Sequence, residues 1–121
     1  MIEDLYELIG GQSVITTATK IFYNKVRGDQ SLRHFFEGVD MERLRSHQVM
    51  FISMLLAGRT YTGRDVRDAH AQSRDQGLND GHFTRFLQHF RAALEEAGVK
   101  PENAEKVMNR LEGKRAAVLG T

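Results

Sequence analysis

A 3.6-residue repeat of apolar side chains recurs in four places along the chain, and it commits the polypeptide to helices. Ser13 is placed to cap the first of these helices, which carries Ile15, Ala18, Ile21, Phe22 and Val26 and runs to Arg27, where Gly28 permits a turn. The segment DQSLRHFFEGVD supplies a short helical turn around Leu32 to Phe36, broken by Gly38. Asp40 can cap the next helix, whose apolar line is Leu44, Phe51 and Leu55 with Met41 and Ile52 beside it; Gly58 stops it. GRTYTG reads as a loop, followed by a shorter helical stretch from about Arg64 to Arg74 with Val66, Ala69, His70 and Ser73 inward. After QGLND a long helix from about Asp80 to Ala97 aligns Phe83, Phe86, Leu87, Phe90 and Leu94, and Gly98 marks its end. Pro101 suits the first turn of a last helix striped by Val107, Met108, Leu111 and Val118. The expectation is an all-α fold, one domain over residues 1–121, with four substantial helices and two or three short ones.

Charge and composition remove several classes of function. Seventeen Lys and Arg face sixteen Asp and Glu, for a formal charge of +1, and the two signs are interspersed. A nucleic-acid binder needs a concentrated positive surface, so no nucleic-acid partner is expected. With no Cys in the chain, any metal must be held by His or carboxylate. No apolar run approaches the roughly 20 residues of a membrane span. The start MIEDLYELIGG is acidic and unlike a secretory signal, so a cytoplasmic protein with no membrane partner is expected. HExxH, GxGxxG, P-loop and serine-elbow motifs do not occur, which leaves hydrolysis and phosphoryl transfer without machinery.

Some residues do not fit a plain bundle. Gln48 lies four residues after Leu44 and three before Phe51, inside the apolar stripe, and His47 leans toward the same line. An unpaired buried amide or imidazole costs about 1–3 kcal/mol, so these two either sit at the wet edge of the helix or meet a partner. His70, four residues after Val66, suits a hydrogen-bonded core histidine and equally a ligand for a transition metal or haem iron. Tyr23 beside Phe22 either reaches solvent with its hydroxyl or needs a partner for it. The seven Phe can fill an ordinary core or line an apolar slot wide enough for a planar cofactor. His34 reads as exposed, and His82 and His89 as rim or solvent residues.

In order and separation, LYELIGG, IFYNKV, HFFEGVDMERLRSHQVMF, the GRTYTG loop, DAHAQ and GLNDGHF resemble the truncated haemoglobins of the first group. These are short globins with a two-over-two helical sandwich around haem, and the likeness runs from about residue 2 to residue 119. The resemblance implies haem b as cofactor, with His70 as the proximal ligand of the iron. Tyr23 and Gln48 match the distal pair whose hydroxyl and amide meet a bound ligand, and Phe36 matches the aromatic that packs on the haem face. Leu44 stands where larger globins have their distal histidine. Arg43 is similar to a basic residue that reaches a haem propionate in some relatives; Phe51 and Ile52 could line the apolar tunnel known in some members, but sequence does not fix the rotamers that would open it. Gly10 and Gly11 match the glycine pair before the second helix. His47 resembles the residue that some cyanobacterial members use as a second axial ligand, so the implied metal ligands are His70 and His47. The histidine that bonds a haem vinyl group in those relatives has no counterpart in EGKRAAVLGT.

The function implied by this resemblance is reversible binding of dioxygen, with nitric oxide and carbon monoxide as further ligands. Nitric oxide dioxygenase or peroxidase-like side chemistry would need an external reductase, because the chain has no flavin or nicotinamide domain, and a monomer is expected. The alternative is a bis-histidyl haem protein of electron transfer or redox sensing, since two axial histidines suit rapid electron exchange and shut out ligands until one bond opens.

Overall fold

The computed structural model describes residues 4–58 and 74–120, and every regular element among them is helical. In chain order these are α1 (Leu5–Leu8), α2 (Gly11–Arg27), a 3-10 turn (Arg33–Phe36), α3 (Met41–Leu56), α4 (Asp80–Glu96), α5 (Pro101–Glu112) and α6 (Arg115–Leu119). Most of the GRTYTG loop, the helical stretch expected after it and His70 itself lie outside the described residues.

α2 packs mainly on α4 and α3, and α4 on α5, so the pairs α2–α3 and α4–α5 form two layers. Ile15, Ala18, Phe22 and Val26 are buried along α2 at the helical period, in one cluster with Phe90, Ala93 and Leu94 of α4. The Phe22 and Phe90 rings meet edge to face with centroids 5.5 Å apart, joining the layers at their crossing. Asp40 caps α3 by accepting the Arg43 N–H at 3.2 Å. At the start of α4, Asn79 Oδ1 accepts the His82 N–H at 3.1 Å while the Asn79 N–H donates to His82 Nδ1 at 3.2 Å. His82 is therefore a capping residue, half-buried rather than free in solvent. His34 is half-buried too, its ring centroid 4.0 Å from that of Phe35.

Two boundaries differ from the sequence expectation. α2 begins at Gly11, ahead of Ser13, because Gly10 (φ 113) and Gly11 (φ 75) carry the turn out of α1 in a region that favours glycine. A Cβ on Gly10 would stand 2.5 Å from Val14 Cγ2. Ser13 falls inside the first turn instead, where its carbonyl accepts the Thr17 hydroxyl at 3.0 Å. The last helix is broken: α5 ends at Glu112, the chain turns through Gly113 and Lys114, and Val118 belongs to α6.

A buried carboxylate also ties the layers together. Asp29, 8% exposed, follows α2, and its Oδ1 accepts the Ser31 N–H at 2.9 Å and the Ser31 hydroxyl at 2.7 Å. Its Oδ2 accepts from Arg85 Nε of α4 and lies 2.8 Å from His89 Nε2. Burial alone would raise the Asp29 carboxyl, but hydrogen bonds from His89, Arg85 and Ser31 outweigh it and hold the group well below the ordinary carboxylate range. His89, expected at the rim, thus links α4 to the turn after α2.

Candidate functional site

Between the two layers lies a cavity of about 340 Å³. All seven Phe of the chain line it, from α2 (Phe22), the 3-10 turn (Phe35, Phe36), α3 (Phe51) and α4 (Phe83, Phe86, Phe90). Their convergence decides between the two meanings of the Phe excess: the rings build an apolar slot as well as a core. The face of α3 turned to it carries Leu44, Gln48, Phe51 and Ile52, spaced one turn or two apart as the helical period requires. Tyr23 reaches it from α2, its ring edge-to-face with Phe22 at 4.8 Å and with Phe36 at 5.8 Å.

Tyr23 and Gln48 are two of the polar side chains on this largely apolar wall. Neither the Tyr23 hydroxyl nor the Gln48 amide makes a side-chain hydrogen bond among the described residues. Tyr23 is 4% exposed, and burial pushes its phenol above its ordinary value, so it keeps its proton at neutral pH and remains a donor. If a bound group excludes water from the cavity, each of these donors left unmet would cost about 1–3 kcal/mol, a cost that an acceptor on that group offsets. The arrangement suits a flat, largely apolar group carrying, or binding, something with partial negative charge within reach of these two donors.

The structure brings Tyr23, Phe36, Leu44, Gln48 and Phe51 together on the cavity wall. His47 and Arg43 are exposed on α3 and are not lining residues, and His70 lies outside the described residues. Gln76, Lys114 and Val118 line the cavity without having been singled out as site residues. Val118 was legible as apolar but was placed on a continuous last helix; Gln76 and Lys114 sit in turns, where no periodicity tells which way a side chain faces.

The family model described as bacterial-like globin matches residues 4–119. Among curated relatives, a group 1 truncated haemoglobin of Synechocystis is 39% identical over 101 residues, covering 82% of this chain and 81% of that one. A group 1 truncated haemoglobin of Tetrahymena pyriformis is 31% identical over 119 residues, covering 98% of this chain and 96% of its own length. Among solved structures, the 2/2 haemoglobin of Synechococcus, in the cyanomet state with covalently attached haem, superposes with a TM-score of 0.89 at 29% identity, over 98% of this chain and 100% of that one.

Proposed function

The chain belongs to the bacterial-like globins, as a group 1 truncated haemoglobin with the two-over-two fold, and from that premise we propose that its cavity holds haem b and that the loaded protein reversibly binds dioxygen. The observation that carries this reading is that Tyr23 and Gln48, with no side-chain hydrogen bond among the described residues, present their donors on a wall that consists largely of phenylalanine and aliphatic side chains. Haem supplies the iron at which a diatomic gas is held. The Phe-lined walls would accept the flat macrocycle, His70 would hold its iron, and the Tyr23 hydroxyl and Gln48 amide would donate to a partly negative gas ligand. In such a dry site a donor fixed in place is worth more than in water. Dioxygen, which gathers more charge than carbon monoxide, gains more from both.

The residues fit haem held without a protein cross-link, because the stretch EGKRAAVLGT offers no histidine to a vinyl group. Reaction with nitric oxide belongs to the same proposal, and its turnover depends on a reductase from outside the chain. Titrating apo-protein with haemin tests the reading: an intense Soret band saturating at one haem per chain is expected, and absence of that band removes the proposal.

His47 carries a conditional part. Its side chain is exposed, and to become the sixth ligand it has to swing inward, displacing whatever occupies the distal space. If it does so, the ligand-free protein has a low-spin spectrum and the rate of ligand binding levels off at high ligand concentration. His47→Ala then abolishes both signs, and the bis-histidyl reading in electron transfer or redox sensing gains its basis. A high-spin resting spectrum in the parent at neutral pH takes His47 out of the site.

A further inference from the structure

One side chain makes most of the polar bonds described between α6 and its neighbours. α6 has five residues and no side-chain cap, and a helix that short does not hold itself together in water. Phe83 of α4 and Val118 of α6 form a small apolar cluster separate from the main core, and both line the cavity. Arg115, the first residue of α6, fastens this cluster from outside. Its Nε and Nη2 donate to the two carboxylate oxygens of Glu112 at 2.9 and 2.8 Å. Nη1 donates to the Asp80 carbonyl and Oδ1 at 3.2 and 3.1 Å, and Nη2 also donates to the Thr84 hydroxyl at 3.0 Å. The guanidinium carbon lies 4.6 Å from the centroid of the Phe83 ring. An isolated exposed ion pair contributes little, but a bidentate fork that also spans two other residues and an aromatic face is a network. A further described tie to the end of α6 is Arg74 Nη1, which donates to the Val118 carbonyl at 3.1 Å.

We propose that Arg115 is the latch of the cofactor cavity, a positioning residue that touches no cofactor but holds α6 against the start of α4 and so sets how fast haem escapes. The proposal rests on the haem reading above. When the clamp breaks, α6 swings about Gly113 and Lys114, Val118 leaves Phe83, and that side of the cavity opens to solvent. Both the fork geometry and the ring contact belong to arginine, so lysine serves only in part.

Haem-loaded protein comprising residues 1–121 is mixed with an excess of a high-affinity apo-globin acceptor, and haem transfer is followed by absorbance. Arg115→Ala is expected to release haem at least about tenfold faster than the parent, with Arg115→Lys between them. Arg91→Ala, which removes the ion pair to Glu105 at 2.7 Å between α4 and α5, is expected to release haem at the parent rate. Amide exchange on the same samples is expected to rise in α6 and the first turn of α4 and to stay unchanged in α2 and α3. Should Arg115→Ala not fold, Thr84→Val removes a single bond of the clamp and is expected to give a smaller increase with the same local exchange pattern. Release at the parent rate from Arg115→Ala, or from Thr84→Val where that variant carries the test, overturns the latch, and so does faster release accompanied by exchange raised equally in α2 and α3. A parent chain that takes up no haem overturns the functional reading and the latch with it, whereas a parent that binds haem firmly alongside an unchanged variant overturns the latch alone.

Discussion

Replacing His70 with alanine is expected to abolish stable haem retention. In the proposed site the cavity wall would give haem apolar contact and the Tyr23 and Gln48 donors, but the iron also needs a bond to the protein, and His70 is the residue proposed to make it. Changes to groups that merely orient a metal ligand cost about 10–100-fold in affinity, so loss of the ligand itself should exceed about a hundredfold. Haem titration of His70→Ala should show this directly, and the spectrum of whatever haem remains should lose its histidine-ligated character. Because haem binds the folded pocket and not the open chain, the variant should also unfold with haem present at nearly the temperature of the apo-protein. Unchanged affinity with the histidine-ligated spectrum intact would remove His70 from the site.

Asp29→Ala is expected to damage the scaffold severely. It deletes the acceptor of Ser31, Arg85 and His89 at the junction of α2 and α4, two helices that both contribute to the cavity wall. Breaking a buried charge pair costs about 3–5 kcal/mol; the Arg85 side chain is 52% exposed and regains water, which puts the expected loss near the lower bound, about 3 kcal/mol. The pH dependence has a definite sign. The folded-state carboxyl titrates below its unfolded value, so its contribution is fully present above the ordinary carboxylate range and is lost as the pH falls through the depressed folded value. Urea titrations of parent and variant should differ by this amount at neutral pH and converge in strong acid. Equal midpoints at neutral pH would show that the network contributes nothing.

The helices were legible because their apolar residues recur at one period, and the caps at Asp40 and Pro101 are local chemistry. The start of α2 was not, since Ser13 is a good cap in isolation and the glycine pair before it prevails through backbone geometry that a periodic stripe does not record. The break at Gly113 escaped for a related reason: Val118 stays roughly in phase with Leu111 whether or not the helix is continuous. Tyr23 and Gln48 stood out in the sequence as polar groups among buried positions, and they are on the cavity wall. His89 and Asp29 did not, because a bond between residues 60 positions apart leaves no local pattern. The Phe residues were conspicuous in number, yet only the packing of four separate elements shows that all seven converge on one cavity.

Dioxygen dissociation, measured by stopped flow on the ferrous haem-loaded parent, Tyr23→Phe and Gln48→Leu, tests the central claim most directly. Tyr23→Phe removes only an oxygen from a ring held between Phe22 and Phe36, so the cavity wall stays in place and the donor alone is lost. A hydrogen bond to a charged partner is worth about 1.5–3 kcal/mol, so dioxygen should leave this variant at least about tenfold faster, with a smaller acceleration in Gln48→Leu. Three equal dissociation rates would contradict the assignment of Tyr23 and Gln48 as the groups that hold the ligand.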